Sequence, residues 1–242
     1  MRSNPMIRKG FDAVNAHDGT VMTLKGTRNK TLLMIGVTAL TFIMSWFIIL
    51  MSGTISTAYT ISTVASIVGL ILAIVTSLNP HRAKTFGLLY AMCEGLLIGS
   101  ISIVFETMFP GIVARTLVLT LLAVVFTLLL YNHSPSLGGK IRRGVMIATF
   151  SVAAVSLLGL VFSLFGIPFI LWGNNLMGIG FSLLVVGIAI ANLIVDYDNI
   201  VQGVEYGLSK HMEWYFAFGI LVTIVWLYIE ILELLSRMIN RE

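Results

Sequence analysis

Three apolar stretches of the chain carry carboxylates where hydrocarbon is expected. ANLIVDYDNIVQGVEYGL, residues 191–208, sets Asp196 and Asp198 directly after a long apolar run. WLYIEILELLSRM, residues 226–238, holds Glu230 and Glu233, and YAMCEGLLIGS, residues 90–100, encloses Glu94. Acids in such places exchange protons or attract hard cations. A carboxylate at the centre of a bilayer costs about 2.5 to 3.5 kcal/mol on insertion scales, so it faces a bundle interior or water and is a functional candidate by default. For Glu94 the competing structural role is a protonated carboxyl hydrogen-bonded to a neighbouring helix.

Spacing separates these acids. Asn192, Asp196 and Asn199 fall on one helix face, a polar stripe with Asp196 as its inward acid, whereas Asp198 is turned about 200° away and is expected to meet headgroups or a loop. Glu230 and Glu233 share a face. Arg237 lies four residues beyond Glu233 in the favourable order for an ion pair, which leaves Glu233 as a polar helix end and Glu230 without a partner in its own helix. If the helix of Asp196 runs on to about Gly207 and the next begins near Phe216, the 1.5 Å rise brings Asp196 and Glu230 to one depth within a turn; if it stops at Tyr197, they stay apart. Two carboxyl groups close together in a poorly hydrated bundle share one proton. Its loss leaves charge that repels, opening the bundle, or attracts a cation. Calcium suits hard oxygen ligands, yet two or three carboxylates fall short of its six to eight oxygens, so transient passage through Asp196 and Glu230 fits better than a tight store.

The other acids, Asp12, Asp18, Glu205, Glu213 and Glu242, fall in tails or loops and are expected to be solvated, apart from Glu106 at the edge of a run. His17, His81, His133 and His211 also fall in tails or loops, so no metal triad is evident, and no resident cofactor is expected. The single cysteine, Cys93, makes no internal disulfide.

The elements that must hold these acids are membrane helices. Hydrophobic residues make up 57% of 242 residues, charged residues 11%, and the mean hydropathy is +0.97, far from the roughly 25% charge of a soluble domain. Runs of about 20 apolar residues match an α-helix crossing a bilayer, where a β-barrel would show alternating segments of about ten. The expected class is an all-α membrane protein with seven transmembrane helices, at 32–51, 59–78, 85–105, 112–131, 144–164, 176–207 and 214–235. Asn79-Pro80, Pro110-Gly111, Ser134-Pro135 with Gly138-Gly139, and Gly166-Ile167-Pro168 mark the turns. Residues 1–31 form a polar tail without the apolar core of a signal peptide, so the domain at 32–242 begins with an uncleaved helix.

Cations set the orientation. Arg2, Arg8, Lys9, Lys25, Arg28 and Lys30 precede the first span, Arg82 and Lys84 follow the second, Lys140, Arg142 and Arg143 the fourth, and Lys210 the sixth; the other side holds only Arg115, Arg237 and Arg241. The positive side is cytoplasmic, which puts the N-terminus inside and, unless the last segment is re-entrant, the C-terminus outside. The cations sit between apolar runs, which argues against nucleic acid as a partner. Arg82, Arg142 and Arg143 lie where they could latch the acids shut, although loop arginines commonly serve topology alone.

LIVDYDNIVQGVEYG, followed by EWYFAFGILVTIVWLYIEILELLSRM and preceded by YAMCEGLLIGS, resembles the bacterial branch of the Bax inhibitor-1 (transmembrane Bax inhibitor motif) family. The resemblance runs from the first apolar segment onward. It implies seven helices with the last central in the bundle, and a pH-sensitive calcium leak in the inner membrane, controlled by a carboxylate pair that maps by motif to Asp196 and Glu230. This chain departs from the family pattern in having glutamate at the second place and a longer connection between the two helices. A reading of another class is a non-transporting regulator that binds a membrane protease or other membrane complex through its cytoplasmic tail. An intramembrane aspartyl protease lacks its Gly-x-Gly-Asp context, so no enzyme is expected.

Overall fold

A computed structural model describes residues 21–241 and contains seven helices long and apolar enough to cross a membrane. They are α1 (Leu24–Ser52), α2 (Ile55–Leu78), α3 (Ala83–Met108), α4 (Ile112–His133), α5 (Ser136–Leu164), α6 (Leu176–Glu205) and α7 (Met212–Ile239), with short 3₁₀ turns at Pro80–Arg82 and Ile170–Trp172. The protein is a multi-pass, all-α membrane protein. The acids and tail residues that precede Val21, and Glu242, lie outside the described residues.

Several boundaries differ from the apolar runs for physical reasons. Helix α1 starts at Leu24 rather than Leu32, because Thr23 caps it by accepting a 2.9 Å hydrogen bond from the Gly26 amide, so Lys25, Arg28 and Lys30 are helical. Helix α4 starts after Gly111, whose φ of 84° suits glycine, and the Glu106 carboxylate accepts from the free amides of Gly111 (2.6 Å) and Val113 (3.0 Å). Gly138-Gly139 does not break the chain; both residues lie in the first turn of α5. Gly138 is there for proximity, since a Cβ at that position would lie 2.4 Å from the Asp198 Cβ on α6. The last helix begins at Met212, earlier than the apolar run from Trp214, with Gly207 at φ 65° turning the chain before it.

Helix α7 is the centre of the bundle. It packs against α1, α3, α4 and α6, while α2 lies chiefly on α3 and α5 chiefly on α6. Tyr90, Ile98, Phe218, Leu221, Tyr228 and Leu232 fill the core between α3 and α7, and Leu193, Tyr197 and Ile220 fill that between α6 and α7. The outside is apolar, with Leu40, Phe47, Leu70, Phe126, Phe150 and Leu183 all exposed, as lipid contact requires. The buried face of α1 is instead a run of hydroxyls, Thr27, Thr31, Thr38, Thr41 and Ser45. They meet the small-residue stripe of α3: Thr38 donates to the Ala91 carbonyl at 3.0 Å, and a Cβ on Gly95 would lie 2.2 Å from the Thr38 carbonyl oxygen. In lipid, close backbone approach through small residues takes the place of a hydrophobic drive between helices. Alternation of the seven spans gathers the start of α1 and the α2–α3, α4–α5 and α6–α7 connections at one end.

Candidate functional site

Asp196 faces a crevice. It is half-buried and accepts a 2.6 Å hydrogen bond from the Thr223 hydroxyl on α7. The cavity beside it, about 330 Å³, lies between α2 on one side and α6 and α7 on the other, and Ser77, Asn199, Tyr215 and Gly219 help to line it. The polar stripe is divided: Asn199 shares this cavity, whereas Asn192 turns to α5 and donates to the Thr149 hydroxyl at 2.7 Å.

Glu230 is elsewhere. Its carboxylate accepts from the Trp226 indole at 3.0 Å, one turn back on the same helix. Thr223 marks the level of Asp196 on α7, and the two turns from Thr223 to Glu230 carry the second acid about 10 Å further along the helix. The cluster of Ala189 with Leu227 and Ile231 marks the same offset. The expected proton-sharing, calcium-holding pair of Asp196 and Glu230 is therefore not formed. The early start of α7 separates them: from Met212 the helix rises about 27 Å to Glu230, whereas α6 descends only about 13 Å from Asp196 to Glu205. Among the described residues no group of three or more histidine, cysteine, aspartate or glutamate side chains is placed to hold a metal ion. Glu94 is buried on the α3 face that meets α2; its Oε1 lies 3.5 Å from where a Cβ on Gly69 would stand, and Tyr90 one turn earlier is its polar neighbour.

Asp198 reverses its expected role. It is buried, accepts at 2.7 Å from Arg142 and at 2.7 Å from Gln202, and lies 3.4 Å from the Tyr131 hydroxyl. Of the three latch candidates only Arg142 holds an acid, and the acid is Asp198 rather than Asp196. Arg82 and Arg143 are exposed and make no ion pair among the described residues. Glu233 pairs with Arg237 as its spacing predicts, but Arg237 is buried and also donates to the carbonyls of Leu171 (2.8 Å) and Gly178 (2.9 Å), which ties the α5–α6 connection to the end of α7.

The family described as Bax inhibitor 1 like matches residues 4–240, nearly the whole chain. The chain belongs to that family. No curated protein and no solved structure gives a significant match.

In this Bax inhibitor 1 like protein the acid least visible in the sequence is Glu213. It was expected to be solvated in a loop, yet it is 2% exposed, accepts from the Thr23 amide (2.9 Å) and the Thr23 hydroxyl (3.1 Å), and pairs with Lys30. Gly26 makes room, since a Cβ there would lie 2.1 Å from the Glu213 Oε1. Just before α1 the chain also pairs with the α6–α7 connection: Met22 N–H donates to the Leu208 carbonyl at 2.8 Å, and Val21 bridges Ser209. The available signal was the position of Glu213 in the first turn of a helix that starts at Met212, where an acid also complements the helix dipole.

Proposed function

We propose that this protein is a pH-sensitive cation leak of the bacterial inner membrane, with calcium as the permeant ion, the N-terminus in the cytoplasm, and Asp196 as the carboxylate that reads pH. The observation that carries it is a half-buried acid that lines an open cavity between α2 and the packed pair α6 and α7, where Ser77, Asn199 and Tyr215 add polar groups to a largely apolar wall. Protonated, Asp196 is neutral and offers a cation nothing beyond dipoles. Ionised, it supplies a hard oxygen beside the Asn199 amide, the Ser77 hydroxyl and backbone, with water completing the shell that calcium needs. The Arg142 to Asp198 ion pair, two residues further along α6, then holds that helix in position and is not itself the gate. Glu230, about two turns along α7, and Glu94, on the α2–α3 face, serve as further polar groups in the bundle.

Calcium influx into proteoliposomes loaded with an indicator dye tests the proposal. Wild-type flux is expected to rise with pH, and Asp196→Asn flux to be low and flat; equal, equally pH-dependent flux in the two proteins sinks it. A regulator that binds a membrane protease or another membrane complex through its N-terminal tail is the second reading, favoured by the docking of Val21 and Met22 onto the α6–α7 connection next to that crevice. Removing residues 1–20 while keeping the docked segment separates the two: a regulator loses its effect, and a leak keeps its flux.

A further inference from the structure

At the end of the bundle where α1 begins, a cavity of about 280 Å³ is lined by Lys30, His81, Lys84, Lys210, His211 and Trp214. These residues come from α1, the α2–α3 turn with the start of α3, and the α6–α7 connection with the start of α7. Nothing in the leak uses them. The His81 and His211 rings stack at 4.2 Å between centroids and 24° between planes, which joins the α2–α3 turn to the α6–α7 connection at a fixed spacing. Lys30 is held by Glu213 beneath the cavity and stands 5.1 Å from the Trp214 ring centroid. Lys84 and Lys210 are exposed and make no ion pair among the described residues. Three lysines thus face one concave space, and the one carboxylate bound to them is already saturated by Thr23 and Lys30.

The geometry points to a binding site for a phosphate group. Lysine ammonium groups are point-charge phosphate binders, the His81 imidazole adds a donor, and the tryptophan suits a place at the membrane boundary. Basic pockets between membrane helices on the cytoplasmic side take anionic headgroups, so the phosphate comes either from a lipid or from a free phosphate. Because the site joins α1 to both connections, occupancy reinforces three segments that the histidine stack, the Glu213 bonds and the pairing of Val21 and Met22 with the α6–α7 connection already bring together.

The test uses the full-length protein in a neutral detergent, with thermal unfolding followed during titration with phosphatidylglycerol, phosphatidylcholine or inorganic phosphate. Phosphatidylglycerol is expected to raise the midpoint and phosphatidylcholine to leave it unchanged. Affinity is expected to fall roughly five-fold in Lys84→Gln or Lys210→Gln and about 25-fold in the double variant. Both lysines are exposed, so the unliganded midpoint should hold. Lys140→Gln with Arg143→Gln, exposed cations at the same end but outside the cavity, should bind as wild type. Stabilisation by inorganic phosphate with the same lysine dependence supports a free phosphate, and stabilisation by phosphatidylglycerol alone supports a lipid headgroup. Wild-type affinity in the double variant, equal losses in the control pair, or no stabilisation by either phosphate compound overturns the proposal.

Discussion

Asp198 and Arg142 form an ion pair between α6 and α5. The carboxylate is almost enclosed, with 9% of its side chain exposed, whereas the Arg142 side chain as a whole keeps 33%, although its Nε is buried. Breaking a buried pair leaves a charge without its partner, and the penalty follows the burial of the group left behind. Arg142→Gln is therefore expected to destabilise by about 3 kcal/mol, since Gln202 and Tyr131 alone cannot neutralise Asp198. Asp198→Asn leaves the partly wetted Arg142 beside a neutral amide oxygen that still accepts a hydrogen bond, and is expected to cost less, about 1 to 2 kcal/mol. Unfolding midpoints of the purified variants check the order, and the double variant should lose less than the sum of the singles, as coupled residues do. This contact was hidden because the 200° that separates Asp198 from Asp196 says only that they face apart, not which one faces inward. Whether a residue points to lipid or to protein depends on where α5 lies, and Gly138, which lets α5 approach, reads in the sequence together with Gly139 as a turn.

The helices themselves were legible, because roughly 20 apolar residues have one use in a chain with so little charge. Their ends were not, because caps and ion pairs rather than hydropathy decide them: Thr23 and Glu213 extend α1 and α7 into polar sequence that an apolar run cannot mark. That extension of α7 separates Glu230 from Asp196. The glycine stripe of α3 was legible as a packing face, and its severity is now measurable. A Cβ on Gly95 would meet the Thr41 hydroxyl at 1.9 Å and the Thr38 carbonyl oxygen at 2.2 Å, and backbone cannot step aside as a flexible side chain would. Gly95→Ala should force α1 away from α3 and destabilise the protein by about 2 kcal/mol, within the range for overpacking. Gly36→Ala is the matched control, because nothing lies within 4 Å of a Cβ there and an exposed helical alanine is favoured over glycine. Unfolding midpoints should fall for the first and hold or rise for the second; equal midpoints would mean that the α1–α3 interface is looser than its glycines imply.

Across the whole bundle, the intramembrane carboxylates have separate partners and do not form one dyad. Asp196 answers to Thr223 on α7, Glu230, two turns beyond Thr223, answers to Trp226, and Glu94 to the α2 face at Gly69. A dyad sharing one proton titrates as a unit, so removing either member abolishes the common step. Separate stations behave additively. Calcium flux measured from pH 5 to pH 9 in four proteins distinguishes these cases: wild type, Asp196→Asn, Glu230→Gln and the double variant. If Asp196 alone reads pH, Glu230→Gln changes the size of the flux but keeps the wild-type midpoint, and Asp196→Asn loses the step. The double variant then shows the product of the two single effects, as expected of groups about 10 Å apart with no shared partner. A midpoint moved by more than one pH unit in Glu230→Gln would require the two acids to come together in a conducting state. Helix α7 would then have to slide by about two turns against α6, a ratchet that must break the bond from Thr223 to Asp196 and unseat Leu227 from Ala189.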